Sequence, residues 1–74
     1  MTFAQTTETE SMAEWTRDDG TATIRLRSRP DGQFAVRYDR LHQADDGRGY
    51  AYETFETRAA AEELVERWQA NPPV

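Results

Sequence analysis

The stretch Ile24-Arg25-Leu26-Arg27-Ser28-Arg29-Pro30-Asp31-Gly32-Gln33-Phe34-Ala35-Val36-Arg37-Tyr38 is a β-hairpin whose register follows from its own chemistry. Pro30 presets φ for the first turn position, and Gly32 accepts the left-handed bulge position, so Pro30-Asp31-Gly32 forms a type I turn with Arg29 opposite Gln33. Every other pair then follows. Ile24 faces Tyr38, Leu26 faces Val36 and Ser28 faces Phe34 on one side of the ribbon; Arg25 faces Arg37 and Arg27 faces Ala35 on the other. The hairpin therefore separates an apolar face from an arginine face.

Working outward, a strand over residues 13–17 joins the hairpin through a two-residue turn at Asp19-Gly20, which sets Trp15 opposite Ile24 and Ala13 opposite Leu26. A three-residue loop there would put Trp15 on the arginine face instead. The third strand runs from Gln33 to about Leu41, and residues 41–49 read as a polar loop. Tyr50 to Phe55 form a fourth strand, with Tyr50 on either face. Thr57 is an N-cap, and Ala61, Leu64, Val65 and Trp68 recur at helical spacing. Glu63 and Arg67 are spaced for an i,i+4 pair, and Asn71-Pro72-Pro73 ends the helix.

Residues 1–11 read as a disordered threonine- and glutamate-rich tail, residues 12–71 as one β-β-β-β-α domain, and residues 72–74 as a C-terminal tail. The expected fold is α+β: a three- to four-stranded antiparallel meander in order 1-2-3-4, with one C-terminal helix packed across one face. The expected core is Trp15, Ile24, Leu26, Phe34, Val36, Tyr38, Tyr52, Phe55, Ala61, Leu64, Val65 and Trp68. In so thin a core Trp15 and Trp68 serve as lids rather than interface anchors.

A chain of 74 residues buries only about 60 % of the surface its unfolded form exposes. It contains no cysteine, which excludes disulfides, thiolate zinc sites and thiol nucleophiles. The N-terminal residues lack a basic and apolar leader pattern, and no apolar run approaches spanning length, so the expected location is cytoplasmic. All nine basic residues are arginine, against fourteen acids, with a single isoleucine. Such acidity without lysine fits a high-salt, GC-rich archaeon, where screening leaves the self-repulsion of a net charge of −5 small. The charge is unevenly spread: residues 24–40 hold five arginines against two aspartates, and the remainder four arginines against twelve acids.

Two stretches resemble the plant ethylene-response-factor type DNA-binding domain, a three-stranded antiparallel sheet packed on one helix. Arg27-Ser28-Arg29-Pro30-Asp31-Gly32-Gln33-Phe34-Ala35-Val36 is similar to that family's arginine-x-arginine-proline-tryptophan-glycine-lysine-phenylalanine/tryptophan-alanine-alanine segment. Thr54-Phe55-Glu56-Thr57 with Ala60-Ala61 looks like its strand-to-helix junction. The resemblance implies a sheet face lying in the major groove, with Arg27 and Arg29 at DNA-contacting positions. Ile24 and Asp39 stand where that family has arginine, and Asp31 and Ala51 where it has tryptophan; an aspartate at a phosphate-facing position turns attraction into repulsion. By size and composition the chain also resembles the many short uncharacterised proteins of haloarchaea, a likeness that implies no activity.

The candidate binding residues are Arg25, Arg27, Arg29, Gln33 and Arg37. Arg25 directly opposite Arg37 is unfavourable unless an anion, Glu53, Asp39 or a partner lies between them. The alternative is a merely solvated sheet face. Asp39, His42, Asp45 and Asp46 are the only cluster with metal-ligating or acid/base chemistry, and their spacing matches no metal loop, so the expectation is no metal, no cofactor and no catalytic residue. The leading expectation is a non-catalytic protein-interaction or self-associating module, a homodimer or a small adaptor, using the open arginine-rich face. Nucleic-acid binding through the same face is the alternative, and neither a membrane nor a small-molecule substrate is implied.

Overall fold

The structure, a computed structural model, describes residues 3–40 and 50–73. Five strands, β1 (Phe3–Glu8), β2 (Met12–Arg17), β3 (Ala22–Ser28), β4 (Phe34–Arg40) and β5 (Tyr50–Phe55), are followed by one helix, α1 (Arg58–Ala70). The sheet is an antiparallel meander in the order β1-β2-β3-β4-β5. The α+β class and the meander with a C-terminal helix are as expected, but there are five strands rather than three or four.

The additional strand lies in residues read as a disordered tail. Phe3–Glu8 carries one large apolar side chain, too few to show a period of two, yet threonine suits a pleated edge. Phe3 supplies the anchor, its ring meeting that of Tyr38 edge-on at 6.1 Å. The connection to β2 is closed by Thr9, whose N–H donates to the Met12 carbonyl at 2.7 Å and whose hydroxyl accepts from the Met12 N–H at 3.1 Å. A bulge interrupts the β1–β2 register between Gln5 and Thr7.

Both hairpin registers hold. In β3–β4, Arg29 N–H donates to the Gln33 carbonyl at 2.7 Å and Gly32 N–H to the Arg29 carbonyl at 3.0 Å, with Gly32 at φ 86°. In β2–β3, Trp15 faces Ile24 and Ala13 faces Leu26. The turn between them differs from the expected two-residue form. Gly20 N–H donates to the Arg17 carbonyl at 2.9 Å, which centres the turn on Asp18-Asp19, and Gly20 alone there has positive φ, 73°. Both turns conserve the same strand pairing, which is why the register survives the change. Asp19 braces the exit by accepting from the Thr21 hydroxyl at 2.7 Å and its N–H at 3.0 Å.

Helix α1 starts where Thr57 accepts a hydrogen bond from the Ala60 N–H at 3.2 Å, satisfying one of the orphan donors of the first turn. Its buried stripe is Ala61, Leu64, Val65 and Trp68, packed with Ala22, Ile24, Leu26, Val36 and Tyr38 in one cluster. The helix lies over β3, β4 and β5. Tyr38 is the largest fully buried side chain, set edge-on to Trp68 at 6.1 Å as well as to Phe3. Trp15, Phe34 and Phe55 pack partly buried against this cluster. Tyr52 corrects the expected core: it faces Arg37 across the sheet, on the side away from the helix, and is 47 % exposed. Phe55 and Tyr52 are three residues apart in one strand, and a period of two cannot bury both.

Candidate functional site

The sheet face away from the helix carries Glu14 on β2, Arg25 and Arg27 on β3, Ala35, Arg37 and Asp39 on β4, and Tyr50, Tyr52 and Thr54 on β5. Arg29 and Gln33 close the hairpin at its end. The structure thus brings together Arg25, Arg27, Arg29, Gln33 and Arg37, the five sequence-derived candidates. Arg25 and Arg37 do stand directly opposite each other. Their repulsion is relieved sideways: Arg25 donates through Nε and Nη2 to one Glu14 carboxylate oxygen at 2.9 and 2.8 Å, and Arg37 donates through Nε to both Asp39 oxygens at 2.9 and 3.0 Å. Asp39 was one of the anticipated counterions. Glu53 was another, but it faces Val36 on the helix side.

Arg29 is held twice, by Asp31 at 3.2 Å and by donation from Nη1 to the Tyr52 hydroxyl at 2.8 Å. The Tyr52 hydroxyl, and after it the Asp31 carboxylate, push the Arg29 guanidinium above its ordinary pKa. The Arg37 guanidinium carbon sits 4.9 Å from the centre of the Tyr50 ring, within cation–π range. Arg27 is exposed and has no ion-pair partner among the described residues. Ala35, opposite Arg27, is buried although it lies on this face.

Tyr50 and Tyr52 are the site residues that sequence reasoning left unplaced or misplaced. Among the described residues they are the large apolar side chains that stay exposed, at 52 % and 47 %. Period-two alternation from Phe55, had that residue alone been assigned to the core, places both on the open face. Two positions where the resembled DNA-binding family carries arginine are put to other uses: Ile24 is fully buried and Asp39 is paired with Arg37.

A cleft of about 270 Å³ beside the helix is lined by Trp15 and Val65 together with Glu8, Glu62, Glu66 and Arg58, and Arg58 is engaged with Glu62 at 2.9 Å. No cluster of histidine, cysteine, aspartate or glutamate among the described residues has the grouping of a metal site. His42, Asp45 and Asp46, considered with Asp39 as a loop cluster, lie outside the described residues, as does the loop of residues 41–49. No helix among the described residues is long and apolar enough to cross a membrane.

No curated protein and no solved structure matches the chain. A family model does, over residues 1–71, which takes in all five strands and the helix. The chain belongs to that family, DUF7543, a family of unknown function.

Proposed function

We propose that this chain is a non-catalytic interaction module that contacts a protein partner, or a second copy of itself, through the open arginine–tyrosine face of its sheet. The observation that carries this reading is the pair Tyr50 and Tyr52, half exposed and each engaged by an arginine of the same face. Tyrosine and arginine dominate protein-binding hot spots because each offers a broad contact area with a polar end. Holding them in place before contact lowers the ordering cost of association. The face is also close to neutral, since Glu14, Asp31 and Asp39 each sit against one of its arginines. A polyanion needs a surplus of positive charge, whereas a protein surface of mixed sign suits this pattern. The lysine-free, acidic composition supports a high-salt archaeal cytoplasm as the setting, where short-range contacts outlast long-range attraction.

The test is a chemical-shift titration following the side chains of Arg25, Arg27, Arg29 and Arg37 and the rings of Tyr50 and Tyr52 in about 2 M KCl, a salt level at which exposed charges are screened beyond roughly 2 Å. Shifts of this face on changing protein concentration, abolished by Tyr50→Ser with Tyr52→Ser, are the expected result. Association that leaves these signals in place, or that persists in the double variant, would refute the reading.

One observation favours a second reading, nucleic-acid binding: exposed aromatic rings flanked by arginines on an open sheet form a stacking platform for unpaired bases, and Arg27 is free of ion pairs among the described residues. It requires the same signals to shift on adding DNA or RNA in molar salt and to stop shifting after Arg27→Ala with Arg29→Ala.

A further inference from the structure

The two edges of the sheet differ. β1 is interrupted by a bulge at Gln5/Thr7, a device that blunts an edge against further pairing. β5, Tyr50-Ala51-Tyr52-Glu53-Thr54-Phe55, keeps continuous register with β4 over all six residues and contains no proline, glycine or basic residue. No described strand lies beyond it.

Which backbone groups of β5 point outward follows from hydrogen-bond alternation. The Arg29–Gln33 bond makes the odd-numbered residues of β3 the partners of β4. The Ser28 N–H donating to the Ser11 carbonyl at 2.8 Å agrees, assigning the even ones to β2. β4 therefore turns Phe34, Val36 and Tyr38 toward β5, where they meet Phe55, Glu53 and Ala51. That leaves the N–H and C=O groups of Tyr50, Tyr52 and Thr54 directed away from the sheet.

We infer that a second copy of this chain docks on this edge, β5 against β5 in antiparallel alignment centred on Tyr52. The inference rests on the open-face reading only for the kind of partner, a protein; it identifies that partner as a second copy and moves the contact to the β5 edge, where Tyr50 and Tyr52 flank the seam. Antiparallel pairing about a twofold axis normal to the sheet keeps both helices on one side and both open faces on the other. Alignment on Tyr52 sets Tyr52 against Tyr52, Tyr50 against Thr54, and Ala51 against Glu53, and every outward N–H and C=O of the three even residues finds a partner. A slip by two residues that centred the pair on Glu53 would set two carboxylates face to face, which is destabilising, and the opposite slip, centred on Ala51, would leave the outward groups of Thr54 without a β5 partner. The product is one continuous ten-stranded sheet. Its open face joins the arginine–tyrosine surfaces of both copies around a central tyrosine pair.

Amide hydrogen exchange tests this on the unmodified chain. With a Kd of about 100 μM, raising the concentration from about 20 μM to about 1 mM cuts the free-monomer fraction, and hence exchange of the Tyr50, Tyr52 and Thr54 amides, about fourfold by mass action. The Ala51, Glu53 and Phe55 amides, already bonded to β4, show no such change. Two variants separate the route of contact from the face. Thr54→Pro removes an outward N–H without touching a β4 bond or a face arginine, and its dimer should be lost. Arg27→Glu lies two strands from the edge, and its dimer should persist. Dimerisation that survives Thr54→Pro and fails with Arg27→Glu would overturn edge pairing while leaving the open-face reading intact. Exchange of the three outward amides that is independent of concentration would overturn the inference whether or not Thr54→Pro folds.

Discussion

Replacing Phe3 by alanine tests whether residues 3–8 belong to the fold. The ring is partly buried against the core and meets Tyr38 edge-on at 6.1 Å with an interplanar angle of 62°. Full burial of a phenylalanine contributes about 1.5–3 kcal/mol, so half of it contributes about 1 kcal/mol. The edge-to-face pair adds about 0.5–1.5 kcal/mol. The expected loss is therefore about 2 kcal/mol out of a total of about 4–11 kcal/mol for a chain of 74 residues. At about 4–8 °C per kcal/mol for a domain of this size, Tm should fall by about 8–16 °C. Urea unfolding followed by tryptophan fluorescence is the direct assay, since Trp68 packs on Tyr38 and reports the same cluster. Phe3→Leu should recover most of the burial and lose only the ring pair. A Phe3→Ala change within about 0.5 kcal/mol of the parent would refute the reasoning and return residues 3–8 to the status of a tail.

Other outcomes follow from single contacts. Tyr38→Phe removes a fully buried hydroxyl that has no hydrogen-bond partner among the described residues; it should raise stability by about 1 kcal/mol in urea unfolding, and a loss of that size would contradict the environment described. Thr57→Ala deletes the N-cap bond to Ala60 and should cost about 1 kcal/mol, with reduced helical ellipticity before the main transition. Hydrogen bonds from the Thr21 hydroxyl, and then its N–H, lower the pKa of Asp19 below the ordinary 3.8. Its contribution is therefore complete above that value and is lost as pH falls through the lower folded pKa. Asp19→Asn should flatten the fall in urea midpoint below pH about 4, and an unchanged acid limb would argue against the Thr21 contacts.

The parts of the fold legible in the sequence are those governed by local chemistry. Pro30-Asp31-Gly32 determines one register; the Asp19-Gly20 reading gives the next correctly although the turn centres on Asp18-Asp19, and Thr57 with the stripe Ala61, Leu64, Val65 and Trp68 determines the helix. Residues 3–8 were not legible because an edge strand needs only one apolar anchor, and the partner of Phe3, Tyr38, is 35 positions away along the chain. Tyr52 was misassigned because the connection after β4 is too long to transmit register, leaving hydrophobicity to decide where alternation from Phe55 should have done so. In the site, the five candidate residues could be read from the hairpin alone. Their counterion Glu14 and the two tyrosines could not, since these come from the strands on either side.

Because each carboxylate among the described residues of the open face lies against an arginine, the positive charge of this surface is held down by only three side chains. An exchange of Glu14 for glutamine or of Asp39 for asparagine keeps the shape of the sheet and adds one unit of positive charge. Such exchanges made together would leave a row of unneutralised guanidinium groups and strengthen the attraction of polyanions. The shape of the sheet and its charge are thus set by different residues, and the acids at positions 14, 31 and 39 tune the face as much as its arginines do.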